Sequence, residues 1–411
     1  MIRITHPTKV VKGSITLPTS KSISNRALII QALCEEPFTI KNLSEAEDTQ
    51  VLKHILDSKP AIADVGDAGT AMRFLLAYYA TQPNGVTLTG SARMKERPIG
   101  PLVDALRSMG AEITYLEKEG YPPVMVKGSR NLNNRVTIRS NISSQFISAL
   151  MLIGPAIKGG LRIVLDGPVT SSSYIDLTYN VMYFMDADIE MSEDGKEIII
   201  EAVEYEANYF VVEPDWSAAS YFFEIAALAK STDIVLENLP ILSNQGDSGI
   251  VDLYEAVFDL QCSAEGKSIR IKKQARPLGI ADAEFDFTEM PDMAQTIAAT
   301  AAAVGVEFML TGLKTLRIKE TDRINALKNE LEKLGVGVEV GDDWIKINPP
   351  LKATGDLQFN TYNDHRMAMA LAPLALVADS VTIDNAAVVN KSFPGYWNEL
   401  RKLGFIINPG S

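Results

Sequence analysis

Hydroxyls, carboxylates and cations recur at the starts of the apolar helical runs in this chain. Lys21, Ser22 and Arg26 stand in LPTSKSISNRALIIQAL, and Gly66, Asp67, Gly69, Thr70 and Arg73 in VGDAGTAMRFLL. Ser143, Ser144 and Gln145 precede FISALMLIG, and Ser171, Ser172, Ser173 and Tyr174 precede IDLTYNVM. Farther along, Asp292 opens PDMAQTIAATA, and Lys319, Glu320 and Arg323 lie in LRIKETDRINAL; Asp364, His365 and Arg366 open the last long apolar helix. A helix start offers free N–H groups and a partial positive charge, which suits phosphate or carboxylate. Lysines and arginines there concentrate positive potential in a chain whose formal net charge is −13. Several such starts converging on one cleft make an anion site with room for more than one phosphate.

Each piece alone has a plainer reading. Ser-Ser before a helix is an ordinary N-cap. GDAGTAMR lacks the Gly-Lys-Ser/Thr of a Walker loop and the GxGxxG of a dinucleotide site. Arg93, Lys95 and Arg97 in SARMKERPIG read as a solvated basic loop. KETDR reads as a charged helix start, with Thr321 as cap and Asp322 complementing the dipole. His365 reads as a satisfied helix-start histidine. Met72, Met94, Met151, Met367 and Met369 read as packing residues, and Cys34 and Cys262 as structural thiols without the basic surroundings of a reactive thiolate.

The elements that must position these side chains repeat. An amphipathic helix ends in Gly or Asp and a short strand follows, at Gly110, Asp186, Asp259, Gly335 and Gly404. The step is roughly seventy residues each time, which points to duplication of one unit. A sixth copy, VLKHILDSKPAI around Asp57, is short by about twenty residues. Runs such as GVTLTG, RVTIRS, LRIVLDG and TDIVLENL read as strands, and QFISALMLIGPAI, AASYFFEIAALA, MAQTIAATAAAV and HRMAMALAPLALVA as helices buried inside a strand layer. The length of 411 residues fits two or three domains. A charge balance of 39 Lys and Arg against 52 Asp and Glu argues against a nucleic-acid partner. Three histidines without ligand spacing and two cysteines argue against a bound metal. MIRITHPTKV has no signal-peptide apolar region, and the longest apolar stretch, Ala294 to Leu310, carries Gln295, Thr296, Thr300 and Glu307. A soluble, cytosolic protein with no membrane contact is expected.

Taken jointly, the motifs LPxSKSISNRAL, GDAGTAMR, RMKERPI, SSQFISALM, SYIDLT, PDMAQTIA, LRIKETDR, YNDHRMAMA and NKSFPGYW closely resemble the 5-enolpyruvylshikimate-3-phosphate synthase family of enolpyruvyl transferases. They keep its order from about Lys12 to Trp397. The resemblance implies an α/β fold of two similar domains, each of three βαβαββ repeats around buried parallel helices, an inside-out α/β barrel. The first repeat is truncated. One domain takes residues 1–18 and 215–411, the other 19–214, with crossovers near Leu17 to Ser20 and Glu213 to Trp216. It also implies transfer of the enolpyruvyl group of phosphoenolpyruvate to the 5-hydroxyl of shikimate 3-phosphate. Carried over residue by residue, Lys21, Ser22, Arg26, Ser143, Ser144, Gln145, Ser171, Tyr174, Asp292 and Lys319 become shikimate-phosphate contacts. Lys21, Gly69, Arg97, Gln145, Arg323, Arg366 and Lys391 become phosphoenolpyruvate contacts. Asp292 is the expected base, Lys319 stabilises the alkoxide, Glu320 protonates the methylene carbon, and Lys21 and Lys391 assist. No metal or organic cofactor is implied, and the family expectation is a monomer.

Three positions depart from the family pattern. Thr19 replaces the usual Gly before Ser-Lys, Thr315 stands where Asn is common, and Asp67 stands where Asn is usual. Two alternatives stay open on sequence grounds. The sister enzyme acting on UDP-N-acetylglucosamine typically has Lys-Asn at the Lys21-Ser22 position and a Cys in its Arg-rich loop; SARMKERPIG has none. A non-catalytic anion-binding relative is disfavoured by the presence of Asp292, Lys319 and Glu320 beside the arginines.

Overall fold

Five of the helix–turn–strand copies turn on a residue with left-handed backbone: Gly110 (φ 106°), Asp186 (59°), Asp259 (58°), Gly335 (77°) and Gly404 (94°). Gly and Asp tolerate that region, which is why these residue types end the helices. In the short copy the turn falls on Lys59 (φ 44°), two residues beyond the Asp57 expected from sequence. Pro60 disfavours right-handed helical backbone at Lys59, so the helix ends there.

The computed structural model describes residues 1–169, 171–206, 209–274, 283–348 and 355–410. The chain divides into two units, Met1–Pro18 with Pro214–Ser411, and Thr19–Glu213. Each has its own hydrophobic core. The Thr19–Glu213 unit carries α1 (Lys21–Leu33), α2 (Glu47–Ser58), α3 (Gly69–Ala80), α4 (Gly100–Met109), α5 (Ser144–Ile153) and α6 (Ser172–Phe184). The other carries α7 (Trp216–Leu228), α8 (Ile250–Val257), α9 (Ala294–Val304), α10 (Arg323–Leu331), α11 (His365–Leu371) and α12 (Tyr396–Lys402).

Apolar residues all round make α3, α5, α7 and α9 internal helices. α3 buries every residue but Thr70, α5 every residue but Gln145, and α7 every residue but Ser217. All three exceptions lie in the first turn, so the buried helices meet the surface at their N-terminal ends. α11 is shorter than HRMAMALAPLALVA suggested. Pro373 cannot donate the next helical hydrogen bond, and the run tightens into a 3₁₀ segment, Ala372–Leu376.

Among the described residues, five four-stranded sheets share one plan: a parallel pair, then two antiparallel neighbours. In one, Ile62–Asp64 runs parallel to Val86–Thr89, which pairs antiparallel with Val124–Lys127, and that with Glu112–Tyr115. The same order recurs from Arg135–Arg139 and Leu161–Asp166, from Val10–Thr16 and Ser231–Glu237, from Ala283–Asp286 and Phe308–Thr311, and from Asp356–Phe359 and Ser380–Ile383. The sixth sheet keeps only its parallel pair, Thr39–Lys41 with Tyr209–Val211. Truncation of the first repeat has removed the antiparallel hairpin and left the helices. The N-terminal strand Ile2–Thr5 lies between Ser380–Ile383 and Ile406–Pro409, so the chain's first residues complete its last repeat.

Candidate active site

In the Thr19–Glu213 unit the site is built on the starts of α1, α3, α5 and α6. Ser20 caps α1, accepting from the Ile23 N–H at 3.4 Å, and so places Lys21, Ser22 and Arg26 on its first turns. Lys21 Nζ meets Asp48 Oδ2 at 3.0 Å. Arg26 is 3% exposed. Its guanidinium donates to Thr178 Oγ1 at 2.8 Å, Ser22 O at 2.8 Å, Ser148 Oγ at 3.3 Å and Tyr174 O at 3.0 Å. It also lies over the Phe74 ring, 5.6 Å from the centroid. None of these partners is a carboxylate, and burial pulls the guanidinium down to about 10.

Ser143 caps α5 and accepts from the Gln145 N–H at 3.3 Å; the Gln145 amide donates to Thr70 Oγ1 at 3.3 Å, tying α5 to the start of α3. Gly69 opens α3, and a Cβ there would lie 2.7 Å from both Arg97 Nη atoms. Only glycine lets the Arg97 guanidinium rest on that helix start. Arg97 is buried, contrary to the solvated-loop reading, whereas Arg93 and Lys95 reach Glu96 at 2.9 Å and Glu117 at 2.7 Å as that reading expected. Ser171 precedes α6 with φ 57°, and Ser144 is buried at the head of α5. Asp67 lies one residue before the α3 cap, Ala68, and accepts the Ser91 hydroxyl.

In the other unit a charge cluster gathers on the segment before α9, on the start of α10 and the residues before it, on α11 and at the end of the 3₁₀ segment Ala386–Lys391. Asp292 lies in the 3₁₀ turn Pro291–Met293. Its Oδ1 meets Arg323 Nη1 at 2.9 Å and Lys319 Nζ at 3.4 Å, and its Oδ2 meets Arg366 Nη2 at 3.1 Å. Arg323, 1% exposed, also binds Glu320 at 2.9 Å and Asp364 at 2.7 Å. Lys391 Nζ lies 3.4 Å from Glu320 Oε1. Burial alone would raise the Asp292 carboxyl; Arg366, Lys319 and Arg323 outweigh it and hold it well below the usual range. Burial lowers Lys319 despite the neighbouring Asp292. Asp322, not Thr321, caps α10, accepting from the Asn325 N–H at 3.2 Å, because the helix begins at Arg323. Asp364 caps α11, accepting from the Arg366 N–H at 2.9 Å, and so orients Arg366 while binding Arg323. His365 is buried, its Nδ1 3.7 Å from Asp364 Oδ1.

The structure thus brings Lys21, Ser22, Arg26, Gly69, Arg97, Ser143, Ser144, Gln145, Ser171 and Tyr174 to helix starts or their flanks in one unit. Asp292, Lys319, Glu320, Arg323, Arg366 and Lys391 gather in the other. The expected packing methionines are buried. Burial pushes the Cys34 thiol up to about 11 and the Cys262 thiol up to about 12, as inert thiols require. The sequence reading missed Asp48, Ser148 and Thr178 as partners of Lys21 and Arg26, and Asp364 as the third carboxylate on Arg323. For Asp364 the signal was its place just before a helix.

The fold is that of the enolpyruvyl transferases. An EPSP synthase from Acinetobacter baumannii matches with a TM-score of 0.79 at 22% identity, covering 100% of both chains. The enolpyruvyl transferase NikO from Streptomyces tendae matches at 0.76 and 17%, covering 99% of this chain and 98% of that one. The family model for EPSP synthase (3-phosphoshikimate 1-carboxyvinyltransferase) matches residues 5–58 and 52–400. The 3-phosphoshikimate 1-carboxyvinyltransferase of Bacteroides fragilis (strain YCH46) is 44% identical over 402 residues, 97% of each chain. That of Colwellia psychrerythraea is 37% identical over 426 residues, 97% of this chain and 98% of the relative. The chain belongs to the EPSP synthase family.

Proposed function

We propose that this chain transfers the enolpyruvyl group of phosphoenolpyruvate to the 5-hydroxyl of shikimate 3-phosphate, releasing phosphate, in the shikimate route to aromatic amino acids. The observation that carries the reading is the Asp292 cluster, in which one carboxylate contacts Lys319, Arg323 and Arg366 while Glu320 contacts Arg323 and Lys391. Anion binding alone calls for the cations; the two carboxylates among them are what acid–base chemistry adds.

Arg26, Ser143, Ser144, Ser171 and Lys21 take shikimate 3-phosphate, with Tyr174 supporting its ring. Arg97 at Gly69, Gln145, Arg323, Arg366 and Lys391 take phosphoenolpyruvate. Asp292 receives the 5-hydroxyl proton as that oxygen attacks C2 of phosphoenolpyruvate, and Lys319 offsets the alkoxide charge. Glu320 delivers a proton to the methylene carbon, forming a tetrahedral ketal phosphate. Loss of a proton from that carbon then expels phosphate, with Lys21 and Lys391 assisting. Held by three cations, Asp292 is a weak base. Anionic substrates that draw Arg366 and Arg323 to themselves relieve this grip, so the carboxylate gains basicity when the site is filled.

Every charge in this scheme has a side-chain partner, so the reading calls for no metal or organic cofactor. A cytosolic monomer is the family expectation that accompanies this reading. Among the described residues no helix is long and apolar enough to cross a membrane. The test is phosphate release from phosphoenolpyruvate, with and without shikimate 3-phosphate. Strict dependence on shikimate 3-phosphate is expected. Release driven by UDP-N-acetylglucosamine instead, or binding of both ligands without release, overturns the reading.

A further inference from the structure

The four residues just before α11 form a tight turn that most side chains enter at a cost. The Asp364 N–H donates to Thr361 O at 2.9 Å, and between them Tyr362 and Asn363 have φ 54° and 55°. Two central residues at positive φ mark a turn of the I′ kind, which Gly, Asn and Asp enter readily. Asn363 fits that preference. Tyr362, a bulky residue with left-handed backbone, does not. Such a conformation persists only where its surroundings hold it.

The hold comes from α10. Glu330, 0% exposed, accepts the Tyr362 hydroxyl at 2.8 Å, the Asn360 N–H at 2.9 Å and the Asn360 side-chain amide at 3.4 Å. Arg323 lies seven positions earlier, on the same face of α10, and grips the far end of the turn through Asp364 at 2.7 Å. Farther along the chain, Asp384 Oδ1 accepts the N–H of buried Thr361 at 2.9 Å, and the Asn385 amide donates to Asn363 Oδ1 at 3.1 Å. Asp364 in turn accepts the Arg366 N–H at 2.9 Å, and the Arg366 guanidinium reaches Asp292 at 3.1 Å. Hydrogen bonds and a few peptide units thus join Glu330 to Arg366 and Asp292.

We propose that Glu330 is a positioning residue: by holding Tyr362 in left-handed backbone it sets where Asp364 caps α11, and so where Arg366 meets phosphoenolpyruvate. This rests on the reading of Arg366 as a phosphoenolpyruvate contact. Without the Glu330 carboxylate, Tyr362 relaxes toward right-handed or extended backbone and carries Asp364 away from the Arg366 N–H and from Arg323. Arg366 then loses its aim, and Asp292 loses a fixed partner.

The experiment measures kcat and KM for phosphoenolpyruvate, and shikimate 3-phosphate binding by calorimetry. The proteins are the wild-type chain, Glu330→Gln, Tyr362→Phe, and Glu330→Gln combined with Tyr362→Gly. Gln keeps the size of the side chain but offers one acceptor oxygen where Glu330 uses two. Glu330→Gln is expected to raise KM for phosphoenolpyruvate about tenfold and lower kcat about threefold, with shikimate 3-phosphate affinity within about twofold. Tyr362→Phe should shift the same two constants in the same directions by a smaller factor, and it tests the idea even if the Glu330 variant does not fold. Glycine takes left-handed backbone freely, so Tyr362→Gly should bring KM in the Glu330→Gln background back to within about threefold of the wild type. A merely structural role makes that double variant worse, since it removes a further side chain. Unchanged KM for phosphoenolpyruvate in both single variants, equal losses for both substrates, or a double variant no better than Glu330→Gln overturns the inference. A wild-type chain with no shikimate-3-phosphate-dependent phosphate release overturns the functional reading and the inference with it; an active wild type with unaltered variants overturns the inference alone.

Discussion

Arg26 and Arg323 are both buried guanidiniums near helix starts, one in each unit, and they are held in opposite ways. Arg26 has hydroxyls, backbone carbonyls and an aromatic face around it, and burial pulls its pKa down. Arg323 has Asp292, Glu320 and Asp364, whose charges outweigh burial and push it up. A buried cation among neutral partners costs free energy that an arriving anion offsets. A cation already shared by three carboxylates gains little from another anion. On the proposed function, Arg26 is therefore suited to receive a ligand, and Arg323 to hold the carboxylates of Asp292 and Glu320 in register until substrates compete for it.

That contrast can be broken first at Arg323. Arg323→Met leaves the buried Asp364 without its guanidinium and takes one cation from each of Asp292 and Glu320, and is expected to destabilise the protein by about 3–5 kcal/mol in chemical denaturation. Arg26→Met should do the reverse of this in kind. Stability without ligand should move by less than about 1 kcal/mol, because a desolvated charge leaves together with its hydrogen bonds. Shikimate 3-phosphate affinity should fall about a hundredfold in calorimetry, the loss of a charge-assisted pair.

A third buried group sharpens the comparison. Glu224 in α7 is fully buried, its oxygens have no hydrogen-bond partner among the described residues, and burial raises its carboxyl well above the usual range. The folded chain keeps a proton there that the unfolded chain releases above about pH 4.3. Stability must therefore fall as pH rises past that value, until the folded carboxyl itself ionises. Glu224→Leu should remove this slope and add about 1–3 kcal/mol near pH 8, read from denaturation at several pH values. Smaller again is Gly69→Ala, whose Cβ would meet Arg97 at 2.7 Å. KM for phosphoenolpyruvate should rise about fivefold, roughly 1 kcal/mol, with the melting temperature unchanged.

Much of this was readable without coordinates, and the residues show why. Left-handed turns at Gly110, Asp186, Asp259, Gly335 and Gly404 are a local property of Gly and Asp, so the repeat could be seen from sequence. The short repeat was visible as missing length, but not its consequence, a sheet reduced to its parallel pair. Site residues at helix starts were legible because caps and anion sites share a chemistry. Taken alone, SARMKERPIG read as a solvated loop and only the joint motif pattern singled out Arg97, because its packing on Gly69 joins residues distant in sequence.

The account turns on Asp292 as the base, and Asp292→Asn tests it most directly. The variant keeps the shape of the side chain and loses the charge that Lys319, Arg323 and Arg366 share. Phosphate release under saturating phosphoenolpyruvate and shikimate 3-phosphate should fall about a hundredfold or more, with shikimate 3-phosphate affinity little changed. Turnover near that of the wild type would contradict the account.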